Sequence, residues 1–129
     1  NTNTFQSTKT KEKFKIFHRV NCRSRFIIYL LECILCALQY VGKSEWPMNI
    51  RVNKHRNDVL RKEAIPVCKH FNHHPITVHA RFTIIDQLEG QGKNLPTMRR
   101  ILEERENFWI KRLHTLTPNG FNQSLNSRN

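Results

Sequence analysis

The chain has 129 residues, 38% of them hydrophobic, which suffices for one modest core and is too little for two independent domains. No apolar run approaches the roughly 20 residues of a membrane span, and the polar, basic start lacks a signal-peptide core, so no membrane partner is expected. A formal net charge of +12 with a pI near 10.2 favours a polyanionic partner, nucleic acid first, although a basic structural protein of a ribonucleoprotein would carry the same charge. Cys22, Cys33, Cys36 and Cys68, without a secretory signal, argue against disulfides and leave metal binding open. The chain starts with Asn1 and not with Met, so a longer parent polypeptide is expected.

Residues 1–16 are Thr- and Lys-rich without apolar periodicity and read as a flexible basic tail; 123–129 read as a second flexible tail, leaving 17–122 as the domain. The run at 26–31 is rich in β-branched and aromatic residues and predicts a buried strand. Residues 37–42 predict its antiparallel neighbour, with Cys33 to Cys36 in the turn between. Pro47 opens a helix whose apolar spacing carries to about residue 61, and Pro66 opens a short helical piece closed by Pro75. A third strand is expected at 82–86 and a Gly-rich loop at 90–94. The longest helix then runs from Pro96 with a stripe of Met98, Leu102, Trp109 and Leu113, ending before Pro118. This order gives an α/β (α+β) domain, a small three-stranded antiparallel sheet flanked by helices.

Tyr29 and Tyr40 fall on the paired strands, where a tyrosine ordinarily serves packing. Arg51 and His55, one helical turn apart, share a face and can reach a common phosphate; singly they read as a solvated base and a half-buried imidazole. Glu106 is more informative, because its helical neighbours Leu102, Trp109, Ile110 and Leu113 place a carboxylate inside an apolar stripe. A desolvated charge there needs a cation or donors, either a bound metal or one of Arg99, Arg100, Arg105 and Arg112. Of its neighbours, Glu103 sits on another face and Glu104 has weaker apolar flanking. The Pro118-Asn119-Gly120 stretch is a good turn. Cys33 and Cys36 have the spacing of tetrahedral zinc ligands, and 66–74 offers imidazoles; two buried free thiols beside a surface histidine cluster are the alternative.

Ile27-Ile28-Tyr29 followed, after ten residues, by Tyr40-Val41-Gly42-Lys43 resembles the two tripeptides that name the GIY-YIG nuclease family. Arg51 and His55 resemble its first-helix pattern, Glu106 the glutamate of its last helix, and Pro118 to Asn122 its closing motif. Cysteines between the two tripeptides narrow the resemblance, over most of 22–122, to the endonucleases of Penelope-like retroelements. Two positions depart from the pattern. Ile27 replaces the first glycine, and Glu45-Trp46 stands where a basic or small polar pair is usual, putting an acid near a DNA-facing turn.

The resemblance implies a DNA endonuclease that nicks one strand by phosphodiester hydrolysis, with Tyr29, Tyr40, Lys43, Arg51, His55, Glu106 and Asn122 as its catalytic set. Tyr40, or Tyr29 helped by His55, relays the proton from water. Arg51 steadies the phosphate, Glu106 holds Mg2+ or Mn2+, and Asn122 supports the metal site. A structural Zn2+ is implied on Cys33, Cys36, His70 and His74, with His73 and His79 competing for the last place. The nick would prime reverse transcription, in the nucleus, by a domain fused to a longer reverse-transcriptase polypeptide. The alternative is an inactive zinc-containing DNA- or RNA-binding module. In the nuclease, Tyr29, Tyr40, Arg51, His55 and Glu106 must meet in one shallow basic cleft.

Overall fold

The computed structural model describes residues 4–16, 24–47, 50, 80–88 and 93–126. Their elements are β1 (Thr4–Gln6), β2 (Lys13–Lys15), β3 (Ile27–Cys33), β4 (Gln39–Ser44), β5 (Ala80–Gln87) and α1 (Leu95–Leu113). The expected antiparallel sheet is present, in the order β4-β3-β5, with β3 at its centre. The central place explains the unbroken apolar run of β3, since both faces of such a strand leave water. Alternation then sorts its side chains. Ile27, Tyr29, Leu31 and Cys33 share a core with Phe121, whereas Ile28 and Leu30 join Val41, Ile85 and the inward stripe of α1.

The helix begins as its sequence dictates: the Asn94 side chain accepts from Thr97 N at 2.9 Å and Pro96 sits in the first turn. It ends at His114, whose left-handed φ of 56° returns the chain and whose amide donates to the last carbonyls. Met98, Leu102, Ile110 and Leu113 face the sheet, and so does Glu106. Trp109, expected in the stripe, is displaced to its flank and only half-buried.

The basic segment expected as a tail is structured over Thr4–Lys15. Strands β1 and β2 pair as a hairpin, and Phe5 and Phe14 close on Trp109 with ring centroids 5.2 Å away in each case. Gln39 fastens the hairpin to the sheet by donating to Gln6 O at 2.8 Å and accepting from Thr8 N at 3.1 Å. Ser7 Oγ donates to Leu113 O at 2.7 Å, occupying a carbonyl that the helix end leaves open. Burial of Phe5 and Phe14 and these donors outweigh the polar composition that pointed to disorder. At the other end, Gln123 to Asn126, also expected as tail, run along α1, with Asn126 hydrogen-bonded to Asn107.

Candidate active site

Strand β4 forms one edge of the sheet, and a cleft of about 600 Å³ opens between it, α1 and the segment after α1. Tyr40, Lys43, Glu106 and Asn122 all line this cleft. Pairing explains how two faces contribute: Tyr40 lies opposite Leu31 and Lys43 opposite Ile28, residues that belong to different cores. Tyr29 sits beneath, with no exposed surface, its ring centroid 6.3 Å from that of Tyr40. Of the two tyrosines, Tyr40 is the one that lines the cleft. The phenol of Tyr29 packs against Gly42, where a Cβ would overlap the ring and stand 2.7 Å from Cε2. That close approach is the physical reason for the glycine in Tyr40-Val41-Gly42.

Glu106 is 7% exposed. Its Oε1 accepts from Asn126 Nδ2 at 2.6 Å and lies 3.5 Å from Lys43 Nζ. Of the four candidate arginines, Arg99 is engaged by Glu45, Arg105 by Asp86 and Arg112 by Glu12, and the exposed Arg100 makes no ion pair with Glu106 among the described residues. Asp86 shows what a structural buried carboxylate looks like in this protein, with Arg105 at 2.8 Å and the Trp109 indole N–H at 3.1 Å on the same oxygen. Glu106 has no such pair; among the described residues its Oε2 has no partner. One buried carboxylate lining an open cleft fits a hard divalent cation, which keeps several waters and takes one or two carboxylates plus phosphate oxygens.

Asn122, expected as a support for the metal, is committed to the backbone. Its Oδ1 accepts from Val41 N at 2.9 Å and from Thr115 Oγ1 at 2.7 Å, and its Nδ2 donates to Val41 O at 2.8 Å. It holds β4 to the closing loop, and thereby fixes the strand that carries Tyr40 and Lys43. Gly120 in that loop lies so near Gln39 O and Thr115 O that a Cβ would stand 2.5 and 2.6 Å from them. The amide that does touch Glu106 belongs to Asn126, whose polar surroundings in the sequence gave no signal. Glu45 does not face the cleft as a free acid, since Arg99 binds it with two hydrogen bonds of 2.7 and 3.2 Å; the carboxylate in turn raises the pKa of Arg99.

Among the described residues the charged lining of the cleft is Lys43 and Arg99 against Glu45, Glu103 and Glu106. Arg51 and His55, the cations and proton donors expected from the first helix, lie outside the described residues, as do His70 and His74 of the expected zinc set. Cys33 is buried at the end of β3 and Cys36 is exposed in the turn. Partial desolvation of its sulfur first, and then the hydrogen-bonded Cys33 thiol beside it, push the pKa of Cys36 up. Among the described residues no three metal-ligating side chains come together.

Solved structures similar to the chain include the catalytic domain of the homing endonuclease I-TevI, with a TM-score of 0.61 and 24% identity over 78% of this chain and 99% of that one. The fold is the GIY-YIG fold. A point mutant of the catalytic domain of the intron endonuclease I-TevI superposes equally well, with a TM-score of 0.62 and 24% identity over 79% of this chain and 96% of that one. No family model matches the chain, and no curated protein matches it significantly. Within this fold Tyr40 on β4 and Glu106 on α1 line one cleft, with Tyr29 buried beneath.

Proposed function

We propose that this chain is a metal-dependent endonuclease domain that nicks one strand of DNA by phosphodiester hydrolysis. The observation that carries the reading is Glu106, a buried carboxylate in the apolar stripe of α1 that opens on the same cleft as Tyr40 and Lys43 and has no arginine partner among the described residues. The solved neighbours are named as catalytic domains of an intron and homing endonuclease, which supports DNA as the substrate. Hydrolysis requires removal of a proton from water, neutralisation of charge on the phosphate and help for the departing 3′ oxygen. Tyr40 Oη relays the water proton, accepting it as its own phenolic proton passes to His55, with Tyr29 packed beneath to fix its ring. Lys43 and Arg51 bring positive charge to the phosphate, and His55 assists the proton transfer. A Mg2+ or Mn2+ ion on Glu106 would supply the charge that stabilises the leaving oxygen.

The finer reading is an endonuclease of the Penelope-like retroelement type, joined to a reverse transcriptase and acting in the nucleus, whose nick exposes the primer for reverse transcription. The cysteine pair in the β3–β4 turn supports it, through a structural zinc on Cys33, Cys36, His70 and His74. The deciding experiment is nicking of supercoiled plasmid with Mg2+ or Mn2+. Open-circular product that is lost with chelator and with Glu106→Gln supports the reading, and no product with either metal rejects it. Zinc analysis of protein purified without chelators tests the finer reading: one zinc per chain, lost in Cys33→Ser, is expected, and its absence removes the zinc site.

A further inference from the structure

We infer that Asn126 is a positioning residue for Glu106: its side-chain amide stands between the carboxylate and the Lys43 ammonium and keeps one carboxylate oxygen available for a divalent cation. The inference rests on the nuclease reading above. Its basis is the set of contacts that Asn126 makes. Nδ2 donates to Glu106 Oε1 at 2.6 Å, while Oδ1 accepts from Lys43 Nζ at 3.0 Å. Lys43 Nζ itself stays 3.5 Å from Glu106 Oε1 and 3.9 Å from Glu103 Oε2, both longer than a charge-assisted hydrogen bond. The amide therefore gives the cation an acceptor and the carboxylate a donor. Both are satisfied without closing on each other.

The bridge is held from behind. Asn107, one residue after Glu106, accepts from Asn126 N at 2.8 Å and donates to Asn126 O at 3.3 Å, pairing with the peptide as a neighbouring strand would. Asn126 Nδ2 also reaches Asn107 Oδ1 at 3.0 Å and Glu103 O at 3.4 Å. A side chain fixed this way at both its backbone and its amide orients the carboxylate it touches. Without it, the flexible Lys43 ammonium can drop onto Glu106, and a direct ion pair competes with a metal for the same oxygens.

The test compares the unchanged chain with Asn126→Ala and Asn107→Ala, reading Mn2+ affinity by calorimetry, plasmid nicking against Mn2+ concentration, DNA affinity and thermal stability. For Asn126→Ala we expect Mn2+ affinity to fall roughly tenfold, nicking to fall in step at sub-saturating Mn2+ and to recover at saturating Mn2+, and DNA affinity to stay constant. Asn107→Ala should shift Mn2+ affinity in the same direction by less. If Asn126→Ala does not fold, Asn126→Ser, which keeps a small polar side chain but loses the amide, should show the same loss. A variant that melts earlier yet binds Mn2+ and nicks like the unchanged chain overturns the inference alone and leaves Asn126 a mere strap. An unchanged chain that neither binds Mn2+ nor nicks overturns the inference together with the nuclease reading.

Discussion

The phenol ring of Tyr29 lies against the Cα of Gly42, its cross-strand partner between β3 and β4, with no room for a side chain between them. Gly42→Ala must therefore move a fully buried ring or the edge strand that carries Tyr40 and Lys43. Overpacking of this kind costs about 3 kcal/mol at its upper range. Urea unfolding should show a loss of that order together with reduced nicking, and an unchanged midpoint would mean that the ring yields freely.

Two buried carboxylates should respond in opposite ways to removal of their charge. Glu106→Gln keeps an acceptor for Asn126 and releases only the part-exposed Lys43, so stability should change by less than about 1 kcal/mol while nicking falls by orders of magnitude at every Mg2+ concentration. Asp86→Ala strands the Trp109 indole N–H and releases Arg105, and should cost about 2 kcal/mol while the folded fraction still nicks. Thermal melts and nicking rates on both proteins decide, and a destabilised Glu106→Gln that keeps its activity would make Glu106 a structural residue.

Asn122→Ala removes three hydrogen bonds and leaves both backbone groups of Val41 exposed to an apolar gap. The loss should be about 3 kcal/mol. Nicking should decline with the folded fraction and return on cooling, as followed by circular dichroism beside the plasmid assay. Full stability with abolished nicking would instead give the amide a direct part in the chemistry.

Releasing Arg99 should strengthen DNA binding. Glu45→Ala leaves a cation on the cleft rim without its carboxylate, and the exposed pair contributes little to stability. Each added phosphate contact steepens the dependence of log affinity on log salt by about 1. Fluorescence anisotropy across a salt series should therefore show tighter binding at low salt and a slope steeper by that amount; identical slopes would place Arg99 away from the DNA.

Local pattern carried a good part of the fold. The β3 run announced a buried strand, and Pro96 and the stripe through Leu102 and Leu113 marked the long helix, because helix-start chemistry and periodicity act within a few residues. Glu106 was legible for the same reason, as a charge out of place in a local apolar pattern. The tertiary structure decided what depends on partners distant in sequence. A hairpin of three-residue strands with one buried side chain, Phe5, looks like a tail until Trp109 covers it, and Glu12 meets Arg112 a full 100 residues away. Whether Glu106 had an arginine could not be read from α1, since the carboxylates that claim Arg99, Arg105 and Arg112 come from the β4 rim, β5 and the N-terminal hairpin, respectively. Asn126 was silent in sequence because an amide in a polar stretch has no periodicity to violate; only the return of the chain along α1 sets it between Lys43 and Glu106.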